Sequence, residues 1–278
     1  MWRPPPFDFA RMYALDLPLT SMLPTLGVSL AATSPGLVAS PLTFISTGYG
    51  GAIAAIGAWN MAAKGFDKLP LTASLHNVAM ALFGLRLAAF LQLRSQQDSY
   101  NSRQEMKDAM GKFSKMGLKA RLMMWVPCSA LYVMMAAPAF ATTGIKAEIP
   151  ISNPVFAVGL ATMIVGGLLE AVSDYQKTAL KKKDPKAFGS TGVFRICRHP
   201  SYLGEVLFWV GNYIAGLPAM GLDLRYQLLA GTGLMGILSI MTSASKRLIG
   251  KQEEKYGKRE DWKKYASEVK GALFPKLF

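Results

Sequence analysis

Long apolar stretches separated by short polar segments dominate this chain. An α-helix needs about 20 apolar residues to cross the hydrocarbon core of a bilayer, and seven stretches approach that length. They cover residues 13–33, 42–63, 71–93, 121–141, 153–172, 203–220 and 224–244. The pattern predicts an all-α, polytopic membrane bundle of about seven transmembrane helices, with residues 1–278 forming a single membrane domain.

The first stretch departs from this pattern. Asp16, Pro18 and Pro24 interrupt it, so an interfacial or broken helix remains open as an alternative to a full span. The amino terminus would then lie on the other side of the membrane. A removable signal is not expected, because residues 1–6 contain a proline run rather than a basic region.

Basic residues concentrate on one side of the predicted bundle. The loops 94–121 and 173–202 and the tail after residue 245 hold 24 of the 31 Lys and Arg residues, whereas the opposite side holds 6. The positive-inside rule therefore places the carboxyl terminus in the cytosol or the mitochondrial matrix, for a protein of the endoplasmic reticulum or the mitochondrial inner membrane. The mixed-charge tail, residues 246–270, predicts a short amphipathic helix or two.

Composition supports a membrane protein and excludes several other classes. The chain is 51% apolar and 17% charged, with a net charge of +14. Because that charge lies in blocks between apolar stretches, no nucleic-acid partner is expected. Two cysteines and two histidines, Cys128, Cys197, His76 and His199, are too few for a disulfide framework or a zinc cluster, so no metal site is expected.

The segment 192–205 leads from a basic loop into the sixth apolar stretch. Pro200 suits the first turn of a helix, which places His199 near the cap. The free N–H groups of that turn, together with Arg195 and Arg198, would form an anion site at the membrane surface. The alternative is that these side chains only anchor the helix to lipid head groups.

Ionisable residues within the apolar stretches need a partner or a polar cavity, because an isolated charge in hydrocarbon is costly. Glu205 lies almost two turns into the sixth stretch, which favours a cavity there. Arg86 lies inside the third stretch and needs a carboxylate or a ligand anion. Glu170, Asp174 and Glu205 are its candidate partners.

A second polar group precedes the basic loop. Asp174, Lys177 and Lys181 share one helical face at spacings of three and four residues. An ion pair and a binding site for ribose and phosphate both remain open for this group.

These residues resemble the carboxyl-terminal signature of the steroid 5-alpha-reductase-like membrane family. The similar segments are Asp174-Tyr175-Gln176-Lys177, Gly192, Arg198-His199-Pro200-Ser201-Tyr202-Leu203-Gly204-Glu205, Gly84-Leu85-Arg86-Leu87 with Arg94, and Tyr265 with Phe274-Pro275. The resemblance covers about residues 75–278. Residues 1–70 are weakly matched helices, and 71–278 form the steroid-reductase-like region.

The resemblance implies a membrane reductase that transfers hydride from NADPH to an activated carbon–carbon double bond of a lipid or sterol-like substrate. The implied cofactor-binding residues are Asp174, Gln176, Lys177, Arg195, Arg198, His199, Tyr202, Glu205 and Tyr265. Arg86 and Glu170 are expected to be polar residues of the membrane interior, with a substrate-related or structural role. The catalytic proton donor is not identified, and Tyr49 is a guess.

Two other functions remain open. The segment 252–257 followed by Tyr265 is similar to the isoprenylcysteine carboxyl methyltransferases, which implies S-adenosylmethionine as the cofactor. Ser201 stands where the reductase signature commonly has Asn, which favours a third hypothesis. The chain would then be a catalytically inactive accessory subunit, with protein partners in a larger membrane assembly such as a mitochondrial respiratory complex. Neither the substrate nor the oligomeric state follows from the sequence.

Overall fold

The computed structural model describes residues 18–38, 41–96, 104–144 and 149–275, and within these ranges the chain is helical without a β-strand. The α-helices are α1 (Leu23–Thr33), α2 (Pro41–Ile45), α3 (Thr47–Lys64), α4 (Leu71–Ser95), α5 (Gln104–Ser114), α6 (Leu118–Gly144), α7 (Pro154–Lys183), α8 (Pro200–Met220), α9 (Leu224–Tyr256) and α10 (Glu260–Glu268). Short 3-10 helices form at Leu19–Met22, Ser34–Leu37, Phe66–Lys68 and Gly192–Arg195. The predicted all-α class is confirmed.

Four of the described helices are long and apolar enough to cross a membrane. They are α4, α6, α7 and α9, with 25, 27, 30 and 33 residues. A helix of 25 residues is about 37 Å long, whereas the hydrocarbon core is about 30 Å thick. The fold is therefore consistent with a multi-pass membrane protein.

Two further predicted spans form shorter helices that are not among these four. The stretch 42–63 falls largely in α3, which has 18 residues and carries Asn60 and Lys64 near its end. The stretch 203–220 falls in α8, which has 21 residues and includes Glu205 and Asn212. These polar residues lower the mean hydropathy of both helices, and the count of seven spans is not confirmed.

The first predicted span, 13–33, is only partly covered. Residues 13–17 lie outside the described residues. The remainder forms the 3-10 helix Leu19–Met22 and then α1, which has 11 residues and Pro24 in its first turn. A helix of that length rises only about 16 Å, so α1 alone is too short to cross a bilayer.

The chain divides into two compact units. Unit 1 comprises Met1–Val158 and Asn212–Gly233, and unit 2 comprises Gly159–Gly211 and Leu234–Phe278. Helices α7, α8 and α9 each contribute residues to both units. The single membrane domain, with its regions 1–70 and 71–278, stays a prediction.

Unit 1 contains a close contact between α3 and α4. A Cβ atom added to Gly50 would lie 2.6 Å from the main-chain nitrogen of Ala88, and one added to Gly84 would lie 2.5 Å from that of Ala54. Neither helix can carry a larger residue at these points without moving the other. Gly50 and Gly84 therefore serve the packing of α3 against α4.

Buried amides hold the proline-containing helix α6 within unit 1. Pro138 lies inside α6, and it has no main-chain N–H to complete the helical hydrogen-bond pattern. Asn77 donates to the carbonyl of Ala139 at 3.1 Å, and Asn212 donates to that of Met135 at 2.9 Å. Both amides thus bind carbonyls that flank the proline, which fixes the helix where it is locally weakened.

Unit 2 is organised around the contact between α7 and α8. A Cβ atom on Gly166 would lie 2.5 Å from the carbonyl oxygen of Gly204, and one on Gly211 would lie 2.7 Å from that of Gly159. The glycines repeat every seven residues on each helix, so they fall on one face of each. The two backbones therefore approach closely over two successive contacts.

The tail of unit 2 forms an amphipathic helix, as the sequence predicts. In α10, Trp262 and Tyr265 are buried, whereas Glu260, Lys263 and Lys264 are exposed. The buried rings pack with Tyr256 and Phe188 at centroid distances of 5.0 to 5.7 Å. This aromatic cluster joins α10 to the end of α9 and to the loop that follows α7.

Candidate functional site

A tight turn begins the candidate site. Gly192 starts the 3-10 helix Gly192–Arg195 with φ +61°, a value that glycine adopts without strain. A Cβ atom at this position would lie 2.5 Å from Oε1 of Gln176. The same Oε1 accepts a hydrogen bond from the N–H of Val193 at 3.2 Å. Gln176, predicted to bind a cofactor, thus attaches this turn to α7.

Tyr265, in α10, binds the same turn. Its hydroxyl donates to the carbonyl of Phe194 at 2.8 Å. Burial raises the pKa of Tyr265 to about 12, so the phenol stays protonated at neutral pH. The hydroxyl that the sequence assigns to a cofactor is therefore engaged with the chain itself.

Arg198 binds the carboxyl-terminal tail. Its Nε donates to the carbonyl of Val269 at 3.1 Å, and its Nη2 donates to that of Lys270 at 3.2 Å. Its main-chain N–H donates to Gly271 at 3.0 Å. Nη1 lies 3.9 Å from Oε1 of Glu253, a half-exposed carboxylate. Two of the five N–H donors of this guanidinium thus bind the tail.

His199 lies directly before α8 and differs from these residues. It is 4% exposed, and its Nε2 is buried with no hydrogen-bond partner in the described part of the chain. Burial, followed by the charges of Lys177 and Arg198, lowers its pKa to about 4. The imidazole is therefore neutral at pH 7, and the described residues supply no partner for its Nε2.

Two buried carboxylates lie along the contact between α7 and α8. Glu170 is 3% exposed and Glu205 is 7% exposed. A Cβ atom on Gly204 would lie 2.9 Å from the Cβ of Glu170, so Glu170 sits beside the residue that precedes Glu205. Glu170 of α7 thus lies close to the point in α8 from which Glu205 follows.

Two polar residues of α9 also lack a partner within the described ranges: Ser245, which sequence reasoning did not single out, and Gln252, which it included only in the methyltransferase-like segment 252–257. Ser245 is 3% exposed, and the hydroxyl of Ser245 and Oε1 of Gln252 are buried without a hydrogen-bond partner among the described residues. They are seven residues apart and so share a face of α9. Their helical spacing was visible in the sequence, but the exposure of that face was not.

The other predicted residues are less buried. Asp174 and Tyr202 are half-buried, whereas Lys177 and Arg195 are exposed. The ring of Tyr202 lies 5.9 Å from that of His199. Unit 2 therefore contains all nine residues that the sequence assigns to the cofactor, and also Glu170.

Arg86 and Tyr49 belong to unit 1. The Arg86 guanidinium carbon lies 5.8 Å from the centroid of the Phe83 ring, and the Tyr49 ring lies 5.1 Å from that of Tyr132. The roles of Arg86 with a buried carboxylate and of Tyr49 as proton donor stay predictions.

The described residues form an all-α fold that is consistent with a multi-pass membrane protein. Residues 44–269 match the family described as protein of unknown function DUF1295, and the chain belongs to this family. An uncharacterized protein of Schizosaccharomyces pombe is 36% identical to the chain over 93 residues, which are 33% of this chain and 25% of the yeast protein. The match thus spans a quarter of that relative's length. No solved structure matches the chain.

Proposed function

We propose that the chain is a membrane-embedded reductase that uses NADPH to reduce a carbon–carbon double bond of a lipid or sterol-like substrate. The resemblance of residues 75–278 to the steroid 5-alpha-reductase-like family supports this proposal. NADPH would supply a hydride to one carbon of the double bond, and a proton donor that is not identified would protonate the other.

The carrying observation is the buried, neutral imidazole of His199, whose Nε2 has no partner among the described residues. A buried polar atom without a partner costs about 1–3 kcal/mol, and a bound ligand removes that cost. Ribose hydroxyls and phosphate oxygens are suitable partners, because Nε2 of a neutral imidazole accepts or donates according to its tautomer.

The charge around His199 also favours an anion. Lys177 and Arg198 both lower its pKa, which means that the electrostatic potential at the imidazole is positive. A positive potential beside the first turn of α8 attracts phosphate. In this proposal Arg198 favours phosphate binding through its charge, and it also fixes the carboxyl-terminal tail beside the site. Asp174 and Glu205 would lie near the ribose.

Ser245 and Gln252 extend the proposed site onto α9. Their buried oxygens have no partner among the described residues, as Nε2 of His199 has none, so a bond to a polar ligand would remove the same kind of cost. Because both belong to unit 2 with the nine predicted residues, we include them among the residues that would contact the nucleotide.

Two alternatives each have an observation in their favour. Gln252 belongs to the segment that is similar to the isoprenylcysteine carboxyl methyltransferases, and its Oε1 is one of the buried atoms without a partner, which favours S-adenosylmethionine. The bonds from Arg198 and Tyr265 to main-chain carbonyls favour an inactive accessory subunit, since these side chains then serve the fold alone.

We further propose that α3, α8 and the amino-terminal segment add to the four candidate spans to give about seven. The distribution of basic residues then places unit 2's loop before α8 and the carboxyl terminus in the cytosol or matrix. The membrane would be that of the endoplasmic reticulum or the inner mitochondrial membrane.

A comparison of two ligands tests the proposed cofactor. The full chain, purified in detergent, is heated alone, with NADPH and with S-adenosylmethionine. A ligand at about 100 times its Kd stabilises the folded state by about 2.7 kcal/mol, so NADPH should raise the midpoint clearly and S-adenosylmethionine should not. The reverse result would favour the methyltransferase, and no shift with either ligand would favour the accessory subunit.

A further inference from the structure

The segment that follows α10 lies against the start of α8 in unit 2. Residues 270–275, here called the strap, form no helix. They follow Val269, whose side chain packs in the aromatic cluster. Within the strap, Leu273 is 7% exposed, whereas its neighbour Phe274 is 57% exposed. Leu273 is therefore the main apolar anchor of the strap.

Main-chain oxygens of the strap accept hydrogen bonds from Arg198 and His199. Nη2 of Arg198 donates to the carbonyl of Lys270 at 3.2 Å. The main-chain N–H of Arg198 donates to the carbonyl of Gly271 at 3.0 Å. The main-chain N–H of His199 donates to the carbonyl of Ala272, also at 3.0 Å. The strap thus occupies one guanidinium donor and two main-chain donors where α8 begins.

These donors are of the kind that binds phosphate in proteins. Main-chain N–H groups at the start of a helix and the guanidinium of an arginine both favour an anion. A phosphate group carries negative charge on several acceptor oxygens, whereas each carbonyl of the strap is neutral. Because a hydrogen bond to an ionised acceptor is about twice as strong as one between neutral groups, a phosphate competes well with the strap for the same N–H groups.

The imidazole of His199 lies in a closed part of the molecule. The residue is 4% exposed, and its Nε2 is buried with no partner among the described residues. A ligand reaches this atom only after a neighbouring segment has moved. The strap is bonded to the main chain of the same residue, and an irregular segment of this kind opens at a lower cost than a helix.

We propose that the strap and a phosphate group of the nucleotide compete for the N–H groups of Arg198 and His199, so that NADPH binds as residues 270–275 leave the start of α8. This inference rests on the proposed function, because NADPH is its ligand. The bonds from Arg198 to the strap are then those of the closed conformation, and the same guanidinium binds phosphate in the open one.

Proteolysis of the unmodified chain tests this competition. The full chain in detergent is treated with trypsin, with and without saturating NADPH, and cleavage after Lys270 is followed by mass spectrometry. We expect NADPH to increase this rate severalfold, because the bond after Lys270 lies in the strap and becomes accessible when the strap leaves. A small chromogenic substrate measures the activity of trypsin itself under both conditions.

Two adjacent residues of the strap provide a matched pair of variants. Leu273→Asp places a carboxylate at a buried position and so favours the open conformation, whereas Phe274→Asp adds the same charge at an exposed position. Where about nine in ten molecules are closed, full opening raises the apparent affinity for a ligand about tenfold. NADPH should therefore bind Leu273→Asp about tenfold more tightly than the unmodified chain, and Phe274→Asp with unchanged affinity.

The strap and the nucleotide site can fail separately. NADPH binding with an unchanged rate of cleavage after Lys270, or with equal affinity for the two aspartate variants, would overturn the strap and leave the nucleotide site in place. Absence of NADPH binding by both the unmodified chain and Leu273→Asp would refute the nucleotide site, and the strap with it. The proteolysis uses the unmodified chain, so it decides the matter even if Leu273→Asp does not fold.

Discussion

Gly166 in α7 and Gly204 in α8 bring two helix backbones into direct contact, because a Cβ atom on either residue would lie 2.5 to 2.6 Å from the carbonyl oxygen of the other. The same contact places the main-chain nitrogen of Glu170 2.7 Å from the Cβ position of Gly204. The contact of the two glycines thus also brings Glu170 beside Gly204, the residue that precedes Glu205.

Gly204→Ala should therefore separate α7 from α8. The new methyl group meets main-chain atoms, which cannot rotate away, and overpacking of this kind costs about 1–3 kcal/mol or more. We expect a lower thermal unfolding midpoint in detergent. Gly250→Ala is the matched control, since a Cβ atom there meets nothing within 4 Å, and it should stabilise α9 by up to about 1 kcal/mol. Equal midpoints for the two variants would contradict the glycine contact.

Arg198→Ala should release the carboxyl-terminal tail. The variant loses the bonds to Val269 and Lys270, and hydrogen bonds from a charged group contribute about 1.5–3 kcal/mol each. Trypsin should then cleave after Lys270 severalfold faster than in the unmodified chain. Arg195→Ala removes an exposed arginine of the same turn. Trypsin should cleave this variant after Lys270 at the same rate as it cleaves the unmodified chain. A tail that is equally protected in both variants would refute this role of Arg198.

His199 should make the folded state sensitive to acid. Burial and neighbouring cations lower its pKa from 6.5 to about 4 in the folded chain. Between these values the unfolded chain binds more protons, so stability is present above pH 6.5 and is lost as pH falls towards 4. His199→Gln should flatten this part of the stability profile, measured as the unfolding midpoint against pH. A profile of unchanged slope would show that the imidazole is not held neutral.

Removing the Asn212 side chain alone should cost more stability than the same change costs when its partner His76 is replaced as well. Its side chain bonds Nε2 of His76 at 3.0 Å and the carbonyl of Met135. Asn212→Leu leaves both groups buried without this partner, at about 1–3 kcal/mol each. The double variant His76→Phe with Asn212→Leu should recover part of that loss in a double-mutant cycle. Additive losses would mean that the two side chains are not coupled.

The hydrophobic pattern was sufficient to predict four of the described helices. The stretches 71–93, 121–141 and 224–244, and all of 153–172 except Asn153, lie within helices that are long enough to cross a membrane, because apolar length and bilayer thickness are directly related. The stretches 42–63 and 203–220 were harder to assign. Their glycines and buried amides serve packing between helices. Hydropathy alone does not distinguish a polar residue that is buried between helices from one that is exposed to water.

The residues of the candidate site fall in one unit, but their hydrogen bonds could not be predicted. The motif around His199 and the tail residue Tyr265 do lie in one unit. That Arg198 bonds the carbonyls of Val269 and Lys270 could not be predicted, because the pairing joins residues about 70 positions apart. Ser245 was missed for a related reason, since one serine in an apolar helix has no sequence signal until its buried face is known.

Direct titration of NADPH into the purified full chain is the measurement that bears most closely on the proposed function. We expect saturable binding, weakened about tenfold or more in His199→Phe, because one hydrogen bond of about 1.5 kcal/mol is lost from a buried site. Lys258→Gln, which changes an exposed lysine outside the site, should bind as the unmodified chain does. No binding by the unmodified chain, or equal affinity in His199→Phe, would contradict a nucleotide site at the start of α8.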